Sequence, residues 1–477
     1  MKPPTQPEFS KPAQQSVDTP MSTARRTVSP LVREMLEAPP LPLLLRLAGP
    51  NATAFLVQAG VSMAETWFVA RLGIEPLAAI ALMFPLLMLQ QMLANGAMGG
   101  AVASAIARAL GRGDRAAAES LVWHALVIAA GASLLFLLLW LVGGHWLLSL
   151  TGAPARVISE AARYGEVLFL GALPLWTMAF LNAALRGAGN MRLPALFMIG
   201  SSLLQVPLTG ALMFGWLGLP ALGLRGAAVS VIVVSALSTV LLLVKILRPD
   251  APVRLMRAAL TLRWVLFADI FRVGLLAALS PIFVVLTISS LNLLVGRFGV
   301  DMLAGYGIVA RLEFLLVPMV FGIGTAMTSL VGINMGAGNI ARAERIGWTG
   351  GLTAAGLTGT VGLLLALVPG LWLDLFTEDA ESWRAGALYL QIVGPAFLFQ
   401  GLGLSLYFAS QGAGTVAWPV AATVLRFVIA VGGAAVGVLW LDQSVGFVFA
   451  CVAAGMVVYG ALTATAVARG AWRQKGA

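Results

Sequence analysis

The sequence predicts an all-α polytopic membrane protein with twelve transmembrane helices in two parallel six-helix lobes. Three observations lead there. Of its 477 residues, 59% are hydrophobic and only 10% charged, with a mean hydropathy of +0.92, whereas a soluble domain carries roughly a quarter of charged residues. Charged and Gly/Pro-rich breaks cut the chain into twelve apolar runs, each close to the about 20 residues that a bilayer requires. Short segments also recur 225 or 226 residues apart, the mark of a duplicated unit.

In chain order, residues 1–40 are rich in Pro, Ser, Thr and Gln and lack the apolar core of a secretory signal, so they read as a disordered cytosolic tail. The first lobe, residues 41–247, holds runs starting near Leu44, Leu77, Ala118, Ala161, Leu193 and Ala227. A basic cytosolic linker, residues 248–265, leads to the second lobe, residues 266–470, with runs starting near Phe267, Leu303, Gly347, Arg384, Trp418 and Phe447. With the N-terminus in the cytosol, that side holds Arg108, Arg112, Arg115, Arg186, Arg192, the linker, Arg342, Arg345, Arg469, Arg473 and Lys475. The other side holds only Arg71, Arg156, Arg163, Arg225, Arg297 and Arg384. This asymmetry places both termini in the cytosol of a cell (inner) membrane. The net charge of +10 is then a matter of topology and calls for no nucleic-acid partner.

The repeat justifies the two lobes. "RGAGNMRLP" (Arg186 to Pro194) returns as "QGAGTVAWP" (Gln411 to Pro419), "GRGDRAAAE" (Gly111 to Glu119) as "GAGNIARAE" (Gly336 to Glu344), and "VARLGIEPLA" (Val69 to Ala78) as "VGRFGVDMLA" (Val295 to Ala304). An even number of spans per unit makes both copies enter the membrane from the same side, with a cavity between them. The Gly-Ala-Gly stretches lack the lysine of a phosphate loop and read as helix stops, Gly giving the left-handed turn and Pro194 and Pro419 opening the next helix. Tyr164 and Tyr389 correspond across the repeat, as do Trp146 and Trp372, and are expected to anchor the outer interface.

Several residues could carry chemistry inside the membrane. Seven residues turn a helix by about 700°, so Asn51, Gln58 and Glu65 share one face of the first span, with Ser62 beside them. A carboxylate in hydrocarbon marks a functional site by default. A structural acid tied to neighbouring hydroxyls is the alternative for Glu65. Gln205, Thr209, Asn292 and Gln391 are further polar candidates for lining the cavity. Arg311 and Glu313 are two apart, about 200° around a helix, and cannot pair along one face. With Arg426 they are expected to form a buried charge network that holds lobe two together. Met83, Met88, Met92 and Met98 could line an adaptable pocket or pack the core. Neither His124, His145 nor the lone Cys451 suggests a metal site, and no cofactor is expected.

At this point the chain resembles the multidrug and toxic compound extrusion family of cation-coupled antiporters, over nearly everything after the tail. "ETWFVARLG" is similar to the family's "DTxxVGRLG", with Glu65 where aspartate is usual. Gly305 to Ala343, "LGLRGAAVS" (Leu222 to Ser230) and Arg426 also fit. The resemblance implies that Glu65 borders the central cavity and is the coupling site. Gln205 and Thr209 stand where the family's fifth span often has Asn and Asp. Spans seven and ten lack the acids that one branch uses for cations, so the coupling ion is left as H⁺ or Na⁺.

The expected function is therefore efflux of amphipathic, cationic organic compounds in exchange for H⁺ or Na⁺, by a monomer whose partners are small organic molecules and membrane lipid. A flippase of lipid-linked glycans is the alternative, and would favour an arginine-rich cavity. A membrane enzyme lacks a nucleophile-base pair here, and a channel would call for a symmetric ring of charges.

Overall fold

The computed structural model describes residues 29–256 and 259–473, and every regular element among them is helical. The first, α1 (Pro30–Glu37), corrects the expectation of a disordered tail over residues 1–40, of which residues 1–28 lie outside the described ones. Ser29 caps it, its hydroxyl accepting from the Val32 amide at 3.3 Å, and Pro30 opens its first turn. Val32 and Met35, three apart, are buried.

Lobe one follows as α2 (Pro40–Leu72), α3 (Ile74–Gly111), α4 (Arg115–Ser149), α5 (Ala155–Leu170), α6 (Ala172–Gly187), α7 (Arg192–Phe214) and α8 (Leu224–Leu247). Lobe two is α9 (Trp264–Gly296), α10 (Val300–Gly336), α11 (Ile340–Leu367), α12 (Ala380–Ala413), α13 (Ala417–Trp440) and α14 (Val445–Ala468). Among the described residues ten of these helices are long and apolar enough to span alone, and α5 with α6, bent by 53°, makes an eleventh span. The break is at Gly171, where a Cβ would meet Ile232 Cδ1 at 2.2 Å, so the bend lets α8 pack closely. The twelfth is α2, whose 33 residues are long enough but carry the polar stripe. Predicted starts fall between one residue (Leu193 against Arg192) and seven residues (Gly347 against Ile340) inside the observed helices.

The Gly-Ala-Gly segments at 187–189, 336–338 and 412–414 end helices as expected, and the corresponding Gly-Arg-Gly at 111–113 does the same. Gly113, Gly189, Gly338 and Gly414 all have φ between +74° and +87°, the left-handed region glycine tolerates. Caps follow two of them, Asp114 accepting from the Ala117 amide and Asn190 from the Leu193 amide. At the opposite end Asp379 caps α12, and the Ser382 amide holds its carboxyl below the usual aspartate range. The linker is packed: His124 on α4 accepts from the Arg263 amide at 2.9 Å, Trp123 donates to the Met256 carbonyl, and Val253 is buried. Trp472 docks the C-terminal segment by donating to the Ser410 hydroxyl at 3.2 Å.

The cores show how the lobes meet. Two apolar clusters, at the end where the basic loops lie, mix residues of both lobes: Ile106, Phe180 and Ile270 in one, Leu44, Ala107 and Leu330 in the other. In the other half the clusters are separate, one running from Phe68 to Ala228 and the other from Leu291 to Met456. The lobes are therefore joined at the basic end and part toward the opposite end.

Candidate functional site

Lobe one builds its polar site from α2 and α7. Seven-residue spacing on α2 and three-residue spacing on α7 put two pairs face to face. Ser202 Oγ donates to Gln58 Oε1 at 3.3 Å, and Gln205 Nε2 donates to Glu65 Oε1 at 2.5 Å. The second Glu65 oxygen has no hydrogen-bond partner among the described residues. Glu65 is half-buried and its neighbours Phe68 and Val69 belong to the lobe-one cluster, which places it in the half where the lobes part. Ser62 is exposed one turn away, its hydroxyl bonded to the Gln58 carbonyl at 3.4 Å. Thr209 is buried and pairs with the Ser230 hydroxyl at 2.6 Å. A carboxylate so placed, with one oxygen held and one free, can bind a proton or an organic cation.

Asn51 lies elsewhere. It is fully buried, and its Nδ2 donates across the lobes to Thr325 Oγ1 at 3.1 Å. The polar face of α2 runs about 20 Å from Glu65 to Asn51 at 1.5 Å per residue; one end is bonded within lobe one, to Gln205, and the other reaches lobe two at Thr325. Asn292 and Gln391 are exposed and have no hydrogen bond among the described residues, and nothing joins them to Glu65.

The contact between the lobes is a second feature, and sequence reasoning missed it. Ser104 on α3 donates to the Gln411 and Gly412 carbonyls at the end of α12. Arg108, one turn on, donates to Asp269 Oδ1 at 2.9 Å and to the Gly412 carbonyl at 3.4 Å. Ser329 donates to the Arg186 carbonyl at 2.7 Å. Backbones touch between these groups: a Cβ on Gly111 would lie 2.1 Å from the Ile333 carbonyl oxygen, and one on Gly336 2.2 Å from that of Arg108. Helix α1 lies across the same junction, with Met35 against Gly189 of lobe one and its carbonyl accepting from Asn334 of lobe two at 3.2 Å. In the sequence Arg108 is one of the basic-side arginines, and nothing in its spacing pairs it with Asp269, 161 residues on.

In lobe two the expected charge network does not form. Among the described residues neither arginine comes within ion-pair distance of Glu313. Arg311 is exposed with its guanidinium 5.7 Å from the Phe376 ring. Glu313 instead accepts from the Tyr389 hydroxyl at 2.7 Å. Arg426 donates to Gln400 Oε1 at 2.6 Å and lies 5.7 Å from the Tyr459 ring centre. Arg311 and Glu313, two apart, face different neighbours, while Glu313 and Arg426 each take a neutral hydrogen-bond partner, Tyr389 and Gln400, and stay within electrostatic reach of one another. The tyrosines expected at the interface are also reassigned. Tyr164 and Tyr389 are both buried, Tyr389 on Glu313 and Tyr164 within electrostatic reach of Glu65.

Between α3 and lobe two lies a cavity of about 50 Å³, which Arg426, Gln400, Tyr407, Thr423 and Tyr459 border with Met92 and Phe321. Of the four methionines weighed from the sequence, Met92 lines this cavity, while Met83 and Met98 are buried in the core. The cavity's polar residues other than Arg426 gave no signal beyond being polar within apolar runs. Among the described residues no group of three or more His, Cys, Asp or Glu side chains could hold a metal ion.

The MatE family model matches the chain twice, over residues 50–210 and 277–436. The probable multidrug resistance protein NorM of Thermotoga maritima is 27% identical over 384 residues, covering 80% of this chain and 82% of its own. That of Deinococcus radiodurans is 30% identical over 400 residues, covering 77% and 82%. A solved outward-facing structure of a multidrug resistance MATE family transporter superposes with a TM-score of 0.84 at 24% identity, covering 94% of this chain and 100% of that one. At that identity the structural likeness speaks for the fold.

Proposed function

The chain belongs to the MatE family, and from that membership we propose that it exports amphipathic, cationic organic compounds in exchange for inward H⁺ or Na⁺, as a monomer in the inner membrane with both termini cytosolic. The observation that carries the proposal is the half-buried Glu65 carboxylate, bonded through one oxygen to Gln205 and set in the half where the lobes part. An organic cation and the coupling ion compete for that single charge. Competition of this kind is the linkage exchange requires, because occupancy by one disfavours the other. The lobes rock about the space between them, and the arrangement described is the one closed at the basic, cytosolic end. The flippase alternative is not favoured: it calls for arginines converging on one phosphate, and Arg311 and Arg426 have separate partners.

The test is ethidium movement in proteoliposomes, with a pH gradient and a sodium gradient imposed separately. One gradient is expected to drive efflux from the native protein. Glu65→Gln, which fixes the neutral form, is expected to abolish gradient-driven movement while leaving folded protein abundant, and Glu65→Asp to retain part of it. Native rates in Glu65→Gln under either gradient would remove Glu65 from coupling.

A further inference from the structure

The duplication gives the lobe junction an internal control. Ser104 and Ser329 are equivalent at the offset of 225, and each donates to the carbonyl of an equivalent residue in the other lobe, Gln411 in one case and Arg186 in the other. In lobe two the side chain at this place is neutral and satisfied. Gln411 Nε2 donates to the Gly96 carbonyl of lobe one at 3.1 Å and to the Tyr407 hydroxyl at 3.2 Å, and Tyr407 donates to the Ala277 carbonyl at 3.3 Å. A Cβ on Gly100 would lie 2.2 Å from Gln411 Oε1, so the glutamine packs directly on α3 across the junction.

The lobe-one counterparts of Gln411 and Tyr407 are Arg186 and Asn182. They stand four apart on α6 and therefore on one face. Arg186 is 2% exposed and Asn182 3%, yet among the described residues neither side chain has a hydrogen bond and Arg186 has no ion pair. No other charge lies within electrostatic reach of Arg186. The junction's other buried arginine, Arg108, has Asp269 for a partner. The five N–H groups of Arg186 and the amide of Asn182 thus make a buried donor set with no protein acceptor.

A buried charge left unpaired is strongly destabilising. Water can accept from the guanidinium but leaves its charge unbalanced, whereas an anion accepts and balances at once. A single isolated cation calls for a monovalent anion. The Arg186 carbonyl is itself in contact with lobe two, 2.7 Å from the Ser329 hydroxyl, so an ion beside it has to be small. We propose that Arg186, with the Asn182 amide, binds one chloride-sized monovalent anion in the lobe junction. The anion makes this part of the contact electrically neutral, as the glutamine does in the other repeat.

The experiment follows the melting temperature of the purified full chain while sodium chloride replaces sodium gluconate at constant ionic strength. Melting of the native protein is expected to rise with chloride and to saturate; at about 100 mM chloride, a site with a Kd of about 10 mM favours the folded form about 11-fold. Arg186→Gln puts the residue of lobe two at the equivalent place in lobe one, removes the charge, and is expected to melt alike in both salts. Arg186→Lys keeps the charge and is expected to keep part of the response. Each variant is compared with itself in the two salts, so a change in its basal stability cancels. A native protein that melts alike in both salts overturns the proposal, as does a chloride response undiminished in Arg186→Gln. The readout is binding, so the proposal stands or falls apart from the transport reading.

Discussion

Removing the Arg108 side chain should open the basic end. Arg108→Met keeps the length of the side chain and deletes the 2.9 Å hydrogen bond to Asp269 and the 3.4 Å one to the Gly412 carbonyl. Both exist only while the lobes are together. A charge-assisted hydrogen bond contributes about 1.5–3 kcal/mol net. Asp269 is 24% exposed and has Arg272 3.7 Å from the same oxygen, so solvent and a substitute cation lower the loss to about 1–2 kcal/mol. With RT near 0.59 kcal/mol the ratio of closed to open molecules should fall about 5- to 30-fold. Spin labels on Arg192→Cys and Arg345→Cys, both exposed at the basic end on opposite lobes, report it by electron–electron double resonance in a Cys451→Ala background. Growth of a longer-distance population is expected, and Asp269→Asn should produce the same shift. A folded Arg108→Met protein with an unchanged distance distribution would refute the assignment of this pair to lobe closure.

Three further outcomes follow from the geometry. Single cysteines at Arg192 and Arg345 should react with an impermeant thiol reagent from the cytosol, and those at Asp301 and Glu378, exposed at the other end, only from outside; labelling of all four from one side would sink the proposed topology. Gly362→Val places atoms 2.1 Å from the Gly394 carbonyl oxygen and should cost about 1–3 kcal/mol of stability, read as a lower melting temperature, whereas Gly356→Ala, in a helix interior with nothing within 4 Å of its Cβ, should raise melting slightly, by about 0.5–1 kcal/mol of helix propensity. Tyr389→Phe removes the 2.7 Å bond to Glu313 and should destabilise by about 1–3 kcal/mol; a native melting curve would show that Glu313 needs no partner.

The spans were legible because a bilayer imposes length and apolarity on each run, and the lobes because the duplication kept its spacing. Glu65 and Gln58 were legible for a related reason: helical periodicity fixes a face. It does not fix what that face meets, and Asn51 shares the stripe with Glu65 yet bonds to lobe two. Helix α1 escaped notice because eight residues are too few for a strong pattern, and its stability comes from burying Val32 and Met35 against distant segments. Arg108 read as a basic-side charge, since nothing local distinguishes a charge that marks topology from one that joins two lobes. Arg426 stood out as a cation in an apolar run, but its partner Gln400 belongs to another helix.

The junction at the basic end also has to keep the membrane tight. The Phe55 and Phe321 rings also meet edge to face across the lobes, with centroids 5.9 Å apart. Where Gly111 faces Ile333 and Gly336 faces Arg108, even an added methyl would overlap backbone, so a file of water molecules able to relay protons has no passage there. Bulky side chains could have blocked the same path, but pulling them apart in each cycle would wet a large apolar area, at about 25 cal/mol per Å². Glycine backbones and a few directional bonds insulate the bilayer against proton leak while they touch, and expose little when they part.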